Sequence, residues 1–146
     1  MVLAEFAARV TGFEREKPLL AEARRLQPEI AWTAISDLAS LPVADREFDF
    51  AMTFTVLQHL DDGEARKAIG ELQRIASGGF LLLVEETDPS VGAELPARAP
   101  GGTRGRPVAT WEAWLSPWRL RLSFPRRIEP GYAREDVGSY MLFAAP

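Results

Sequence analysis

Short apolar runs alternate with amphipathic segments along most of this chain. The runs at residues 30–35, 48–54 and 80–84 are nearly continuous, as is typical of strands buried on both faces. Residues 17–26 and 64–76 instead place apolar side chains three or four positions apart, which predicts two helices. Strands that alternate with helices indicate an α/β fold whose sheet is mostly parallel.

The two ends of the chain extend this pattern. Residues 2–8 predict a helix, and residues 9–14 predict a short strand that closes on Glu14. Residues 89–107 are rich in Pro, Gly, Ala and Arg without periodicity, so we expect a loop there. A brief helix is predicted at residues 108–115. Residues 118–124 and 139–145 predict a pair of antiparallel strands at the C-terminal end of the sheet.

Composition narrows the possible classes of protein. The 146 residues are 47% hydrophobic and 26% charged, which predicts one globular domain spanning residues 1–146. No apolar run is long enough for a membrane span and no secretion signal is evident, so a cytoplasmic protein without membrane partners is expected. The absence of cysteine and the single histidine predict no metal site, and the net charge of −4 argues against a nucleic-acid partner.

The middle of the chain carries a recognisable series of residues. Asp37 follows the second apolar run, Leu41-Pro42 follows Asp37, and a strand that begins Phe48-Asp49 leads to Leu57-Gln58-His59-Leu60. This series resembles class I S-adenosylmethionine-dependent methyltransferases of the small-molecule type. The resemblance implies an enzyme that transfers a methyl group from S-adenosylmethionine to a small molecule, or a truncated form that has lost this activity. The resemblance implies a three-layer α/β sandwich with a Rossmann-like methyltransferase sheet, mostly parallel with an antiparallel C-terminal strand pair.

The same resemblance implies a set of residues that bind S-adenosylmethionine. Glu14, which closes Val10-Thr11-Gly12-Phe13, would accept hydrogen bonds from the ribose hydroxyls. Asp37 and Leu38 would contact the adenine ring, and the segment with Thr53, Phe54 and Leu57 would lie beside the methionine portion. Alternatives remain for both acids: Glu14 as a surface acid capping the next helix, and Asp37 as the N-cap of a short helix at residues 38–41.

No catalytic residue is assigned, and His59 is only a weak candidate for a general base. A structural histidine is the favoured interpretation. Glu85, Glu86 and Asp88 would either form part of the wall that binds the methyl acceptor or be solvated loop acids. A second cluster is either a lid or, for its tryptophans, a set of core anchors. That cluster consists of Arg98, Arg104, Arg106, Trp111, Trp114 and Trp118.

One expected family feature is missing from the sequence. A glycine-rich loop after a first strand should precede the helix at residues 2–8, yet Met1 falls where that loop would end. We therefore expect the first strand to be absent, from a truncated gene product or a shortened relative. We also expect this chain by itself to bind the cofactor weakly or not at all. The alternative function is a non-catalytic, methyltransferase-like interaction module. Uncovered strand edges and sheet surface would favour a homodimer in either case.

Overall fold

The computed structural model of the chain describes residues 7–90, 102–126 and 138–146. Within these ranges it contains six strands and three α-helices, together with a 3-10 helix at Leu57–His59. In chain order the elements are β1 (Thr11–Glu14), α1 (Lys17–Leu26), β2 (Ala31–Ala34), β3 (Phe50–Phe54), α2 (Asp62–Ile75), β4 (Phe80–Glu86), α3 (Val108–Leu115), β5 (Arg119–Arg126) and β6 (Gly138–Ala144). The chain divides into two compact units, Met1–Pro42 and Val43–Pro146.

The first unit is a strand–helix–strand segment. β1 and β2 are parallel, with Gly12 opposite Trp32 and Glu14 opposite Ala34. A β-carbon on Gly12 would lie 2.3 Å from the Trp32 ring, so this glycine is what allows the indole to cover the neighbouring strand. Between the strands, α1 carries Arg24 and Arg25 in its last turn, where positive charge suits the helix dipole.

The second unit contains a four-stranded sheet in the order β3-β4-β6-β5. β3 and β4 are parallel, whereas β6 is antiparallel to both of its neighbours. The antiparallel strand pair predicted at the C-terminal end is thus confirmed. α2 connects β3 to β4, and its first turn has a capping box in which the Asp61 and Glu64 side chains each accept from the other's backbone amide.

The two faces of this sheet differ sharply in exposure. On one face, the closed face, Leu81, Leu83, Met141 and Phe143 are fully buried and form a core with the buried sides of α2 and α3. Strand register places the alternate residues on the other side, the open face. Five large apolar side chains of the open face are exposed: Phe50, Phe54, Phe80, Leu122 and Phe124.

The structure extends or removes several predicted elements. β4 continues through Glu85 and Glu86, and β5 continues past Pro125 to Arg126, because the charged residues at their ends find buried partners. Residues 38–41 form a turn and no helix. Residues 1–6, which make up most of the helix predicted at residues 2–8, lie outside the described residues, as do residues 91–101 of the predicted loop.

Candidate functional site

The first unit brings two of the predicted cofactor-binding acids to one edge of its sheet. Parallel strands end on the same side, and the backbone amide of Ile35 donates to the carbonyl of Glu14 over 3.1 Å, which joins the two strand ends. The half-buried Glu14 side chain accepts from the Glu16 amide through Oε1 at 2.8 Å. Glu14 therefore orders the start of the connection to α1 in addition to standing at the strand end.

Asp37 lies three residues beyond the end of β2, at this same edge. Its Oδ1 accepts from the Ala39 amide at 2.9 Å, and its carbonyl accepts from the Ser40 amide at 3.3 Å. These bonds form a tight turn, so the alternative of an N-cap for a helix at residues 38–41 is not realised. Asp37 is exposed and Leu38 is half-buried, which leaves the acid in a position to meet a ligand.

Thr53, Phe54 and Leu57 belong to the second unit, where β3 leads into the 3-10 helix. The Thr53 hydroxyl faces the closed face and donates to Glu85 Oε1 at 2.8 Å. Phe54 lies on the opposite face and is 52% exposed. Leu57 is fully buried, and its carbonyl accepts from Arg106 at 3.0 Å. The chain turns sharply between them at Thr55, whose φ is 55°.

Glu85 is the residue around which this turn is organised. Its side chain is fully buried, and besides the Thr53 hydroxyl it accepts from the amide of Val56 at 3.3 Å and of Gln58 at 3.1 Å. Burial raises the pKa of Glu85, although the hydrogen bonds it accepts act in the opposite direction. The expectation of solvated loop acids was wrong for Glu85 and Glu86, because the strand continues and carries both inside the protein.

Gln58 ties the same turn to neighbouring segments through both its backbone and its side chain. Its side-chain Oε1 accepts from the Glu86 amide at 3.0 Å, and its carbonyl accepts from the Arg104 amide at 2.8 Å. The sequence analysis gave Gln58 no role. The sequence carries one indication of this role: Gln58 is a polar residue next to Leu57, and a buried polar side chain is usually hydrogen-bonded.

Arg106 holds the other side of the turn. Its guanidinium, 3% exposed, donates to the carbonyls of Leu57 at 3.0 Å and Leu60 at 2.6 Å and to Asp62 at 2.9 Å. Two tryptophan rings lie beside it, with its central carbon 5.5 Å from Trp111 and 5.3 Å from Trp114. Trp111 is fully buried, which fits the core-anchor interpretation, whereas Arg98 lies outside the described residues.

His59 is exposed, and its Nδ1 lies 3.0 Å from the carbonyl of Gly102. Because a carbonyl only accepts, Nδ1 carries the proton in this contact. The imidazole thereby links the turn to the segment that leads into Arg106, which agrees with the structural interpretation favoured for it.

Glu86 and Arg126 form a buried ion pair at the end of the open face. One Glu86 oxygen lies 2.5 Å from the Arg126 guanidinium, and both residues are more than nine-tenths buried. Among the described residues, Glu86 Oε2 and Arg126 Nε find no hydrogen-bond partner. A β-carbon on Gly138 would lie 2.9 Å from Arg126 Nε, so the glycine makes room for the arginine. The exposed ring of Phe54 lies 6.0 Å from the guanidinium carbon.

The described part of the chain contains neither a metal-binding cluster nor a membrane-spanning helix. Across the described ranges, no group of three or more His, Cys, Asp or Glu side chains is arranged to hold a metal ion. No helix in the same part of the chain has the length and apolar character needed to cross a membrane.

The chain was compared with protein families, with curated proteins and with solved structures. Residues 1–83, more than half of the chain, match the family model described as a methyltransferase domain. No curated protein matches the chain closely enough to count as a relative.

Three solved structures illustrate the similarity of fold. A S-adenosylmethionine-dependent methyltransferase from Methanosarcina mazei is 17% identical with a TM-score of 0.75, over 94% of this chain and 82% of that one. The N-methyltransferase NodS from Bradyrhizobium japonicum, solved with S-adenosylhomocysteine, is 21% identical with a TM-score of 0.74, over 99% and 70%. The [4+2]-cyclase SpnF is 18% identical with a TM-score of 0.74, over 99% and 70%. These similarities confirm the predicted Rossmann-like α/β class.

Proposed function

The chain belongs to the class I S-adenosylmethionine-dependent methyltransferase family, and we propose that it is a cytoplasmic enzyme that methylates a small molecule. The observation that carries the proposal lies within the matched residues. Glu14 and Asp37 follow two adjacent parallel strands at one edge of their sheet, where ligands of open α/β sheets usually bind.

The hydrogen-bond acceptors at this edge fit the cofactor. Carboxylates accept hydrogen bonds from paired hydroxyl groups, so Glu14 suits the ribose. Asp37 suits the exocyclic amino group of adenine, and the half-buried Leu38 offers apolar surface to the ring. In the second unit, Thr53, Phe54 and Leu57 contribute mainly backbone and the exposed Phe54 ring, and we assign them to the methionine portion.

S-adenosylmethionine supplies an electrophilic methyl group when it is bound. The chain has to position the acceptor nucleophile in line with that group, and it needs a base only if the nucleophile carries a proton. We do not assign His59 that task. Its Nδ1 donates to the Gly102 carbonyl, which accounts for the residue structurally, although Nε2 keeps its lone pair.

The open face near the end of β4 is our candidate for the acceptor-binding region. Phe54 offers an exposed aromatic surface there, and the buried Glu86–Arg126 pair lies beside it. A small acceptor that presents apolar carbon to this ring would match the exposed surface. The overall acidic charge gives no support for a nucleic-acid acceptor.

Calorimetric titration with S-adenosylhomocysteine tests the cofactor assignment. We expect the chain to bind weakly, and Glu14→Gln and Asp37→Asn each to weaken that binding about tenfold further, since each removes one charge-assisted hydrogen bond worth roughly 1.4 kcal/mol or more. Glu29→Gln is the matched control, because Glu29 is exposed in the same unit and lies away from both strand ends. Unchanged affinity in the double variant would remove both residues from the site. No binding by the unsubstituted chain would contradict the proposal.

A second candidate function is that of a non-catalytic module that associates with itself. The observation favouring it is the cluster of exposed apolar side chains on the open face, Phe50, Phe54, Phe80, Leu122 and Phe124. Association through the edge of β5 is less favourable, because Pro125 and several arginines on that strand discourage edge pairing. The SpnF similarity adds that this fold is found in a protein described as a cyclase. Under this second function we propose a homodimer joined through the open face, in which the partner copy covers Phe54 in place of a methyl acceptor.

A further inference from the structure

The short 3-10 helix at Leu57–His59 has no cap supplied by its own sequence. Val56 precedes it without a side-chain hydrogen bond, and the residue before that, Thr55, is in the left-handed conformation. An irregular turn of this kind leaves backbone amides on one side and carbonyls on the other that need partners. Both sets are satisfied by side chains far away in the sequence.

Glu85 satisfies the amides. One carboxylate oxygen accepts from Val56 and the other from Gln58, so the two-pronged group fixes the spacing of the turn's donors. The Thr53 hydroxyl donates to the same carboxylate and fixes its orientation. The backbone adds a further bond, from the Thr55 amide to the Val84 carbonyl at 2.7 Å, which ties the turn to the strand that carries Glu85.

Arg106 satisfies the carbonyls. Its two terminal nitrogens reach Leu57 and Leu60, three residues apart, and the planar guanidinium is suited to holding such a pair at fixed geometry. Asp62 balances its charge, and the Trp111 Nε1 donates to the Arg106 carbonyl at 3.0 Å, which fixes its backbone. The Glu85 carboxylate therefore holds the backbone amides of the turn, and the Arg106 guanidinium holds its carbonyls.

We propose that Glu85 and Arg106 are positioning residues that together preset the backbone of residues 55–60 for the methionine portion of the cofactor, an inference that rests on the function proposed above. Neither side chain is exposed enough to touch a ligand, so their effect has to pass through the turn. A preset turn binds more tightly than one that must be ordered on binding, because the entropy of ordering is lost during folding instead.

The substitutions Glu85→Gln and Arg106→Lys test this inference with little change in volume. Glutamine places an NH₂ group opposite an amide donor, and lysine lacks the fork needed to serve two carbonyls and Asp62 together. We expect each to weaken S-adenosylhomocysteine binding by about tenfold in calorimetry. The double variant should lose less than the product of the two, because both act on one turn.

Two controls separate positioning from general loss of stability. Arg104→Lys changes the neighbouring arginine, whose side chain is more exposed and lies 3.6 Å from Asp62, and should leave affinity within twofold. Ile69→Val removes one methyl group from the buried side of α2, which lowers the melting temperature, and should also leave affinity unchanged. Binding is measured at a temperature at which every variant is folded.

Amide hydrogen exchange supplies a second readout that does not depend on the variants folding. In the unsubstituted protein the Val56 and Gln58 amides should exchange as slowly as those of β4. Rapid exchange at both positions would overturn the inference, and so would affinity within twofold of the unsubstituted protein in both folded variants. If the unsubstituted chain fails to bind S-adenosylhomocysteine, the proposed function fails and the positioning role fails with it. Loss of the positioning role alone appears instead as normal binding that neither substitution alters.

Discussion

Glu85 and Glu86 show how far neighbouring residues of one type can differ. Alternation along β4 sends Glu85 to the closed face, where a hydroxyl and two amides donate to it, and Glu86 to the open face, where Arg126 pairs with it. Glu85 thus has its charge compensated by dipoles, and Glu86 by an opposite charge.

This difference predicts a dependence of stability on pH that belongs to Glu85. Burial raises its pKa above the ordinary value near 4.5, so the folded protein holds the proton more tightly than the unfolded chain. The corresponding stability is fully present below pH 4.5 and is lost as the pH rises through the folded pKa. Relative to Glu85→Gln, the wild-type protein should therefore lose free energy of unfolding as the pH rises above about 4.5.

Urea unfolding at a series of pH values provides the measurement. Tryptophan fluorescence reports mainly on the correct unit, because three of the four tryptophans, Trp111, Trp114 and Trp118, lie with Glu85 in Val43–Pro146. Only Trp32 lies in the other unit. Taking the difference between the two proteins cancels the groups they share. A difference that stays flat or grows in favour of the wild type with rising pH would contradict the assigned direction of the pKa shift.

At the level of elements, α2 is the helix whose start is most strongly encoded. Asp61 accepts from the Glu64 amide at 2.8 Å, and Glu64 accepts from the Asp61 amide at 3.2 Å. Asp62 adds negative charge in the first turn and also pairs with Arg106, which links the helix to the turn that precedes it.

Replacing the cap should destabilise the protein by a measurable amount. Asp61→Ala removes the side-chain acceptor for an N-terminal amide, and we expect a loss of about 0.5–2 kcal/mol in the free energy of unfolding. Asp61→Asn serves as the control, since it retains an oxygen at the same position and should recover most of the loss. Equal stability of all three proteins in chemical denaturation would show that water replaces the cap at no cost.

Local signals explain which elements could be predicted from the sequence. The bounds of α1 and α3 agreed with the prediction, because Pro28 and the loops around α3 limit where those helices can extend. The end of β4 did not, because two consecutive glutamates resemble the start of a solvated loop unless their distant partners are known. Glu85 depends on residues 27–32 positions earlier and Glu86 on a residue 40 positions later, and single-sequence periodicity carries no information about such pairs.

The residues of the candidate site also differ in whether local sequence could identify them. The strand-end acids Glu14 and Asp37 could be proposed from local sequence and family resemblance, and the structure places both at one sheet edge. Gln58, Glu85 and Arg106 could not be assigned their roles, since each acts through hydrogen bonds that only the folded chain creates.

For the molecule as a whole, the open face determines how it should behave at high concentration. Five large apolar side chains on one sheet surface are enough to favour association that weakens little with added salt, because apolar contacts are not screened. The modest net charge of −4 opposes association only weakly.

Light scattering across a dilution series should therefore show a mass above that of the monomer at the highest concentrations. Phe80→Ser and Leu122→Ser each remove an exposed apolar group and should shift the dissociation midpoint at least tenfold upward. Leu26→Ser is the matched control, because Leu26 is equally exposed but lies on α1. A monomer at every concentration would rule out the dimer, and an equal effect of all three substitutions would place the contact elsewhere.

The two glutamates of β4 also have a consequence for how that strand finds its place in the sheet. Residues 80–84 are apolar at every position. A slip of one residue along β3 and β6 would therefore bury almost the same apolar surface, and the loss of hydrophobic free energy would be small. The same slip would move Glu85 to the open face and Glu86 to the closed face. One carboxylate would lose its three donors and the other its guanidinium, leaving two charges buried without partners. The acids at the end of the strand thus make the register unambiguous where its apolar sequence leaves it degenerate.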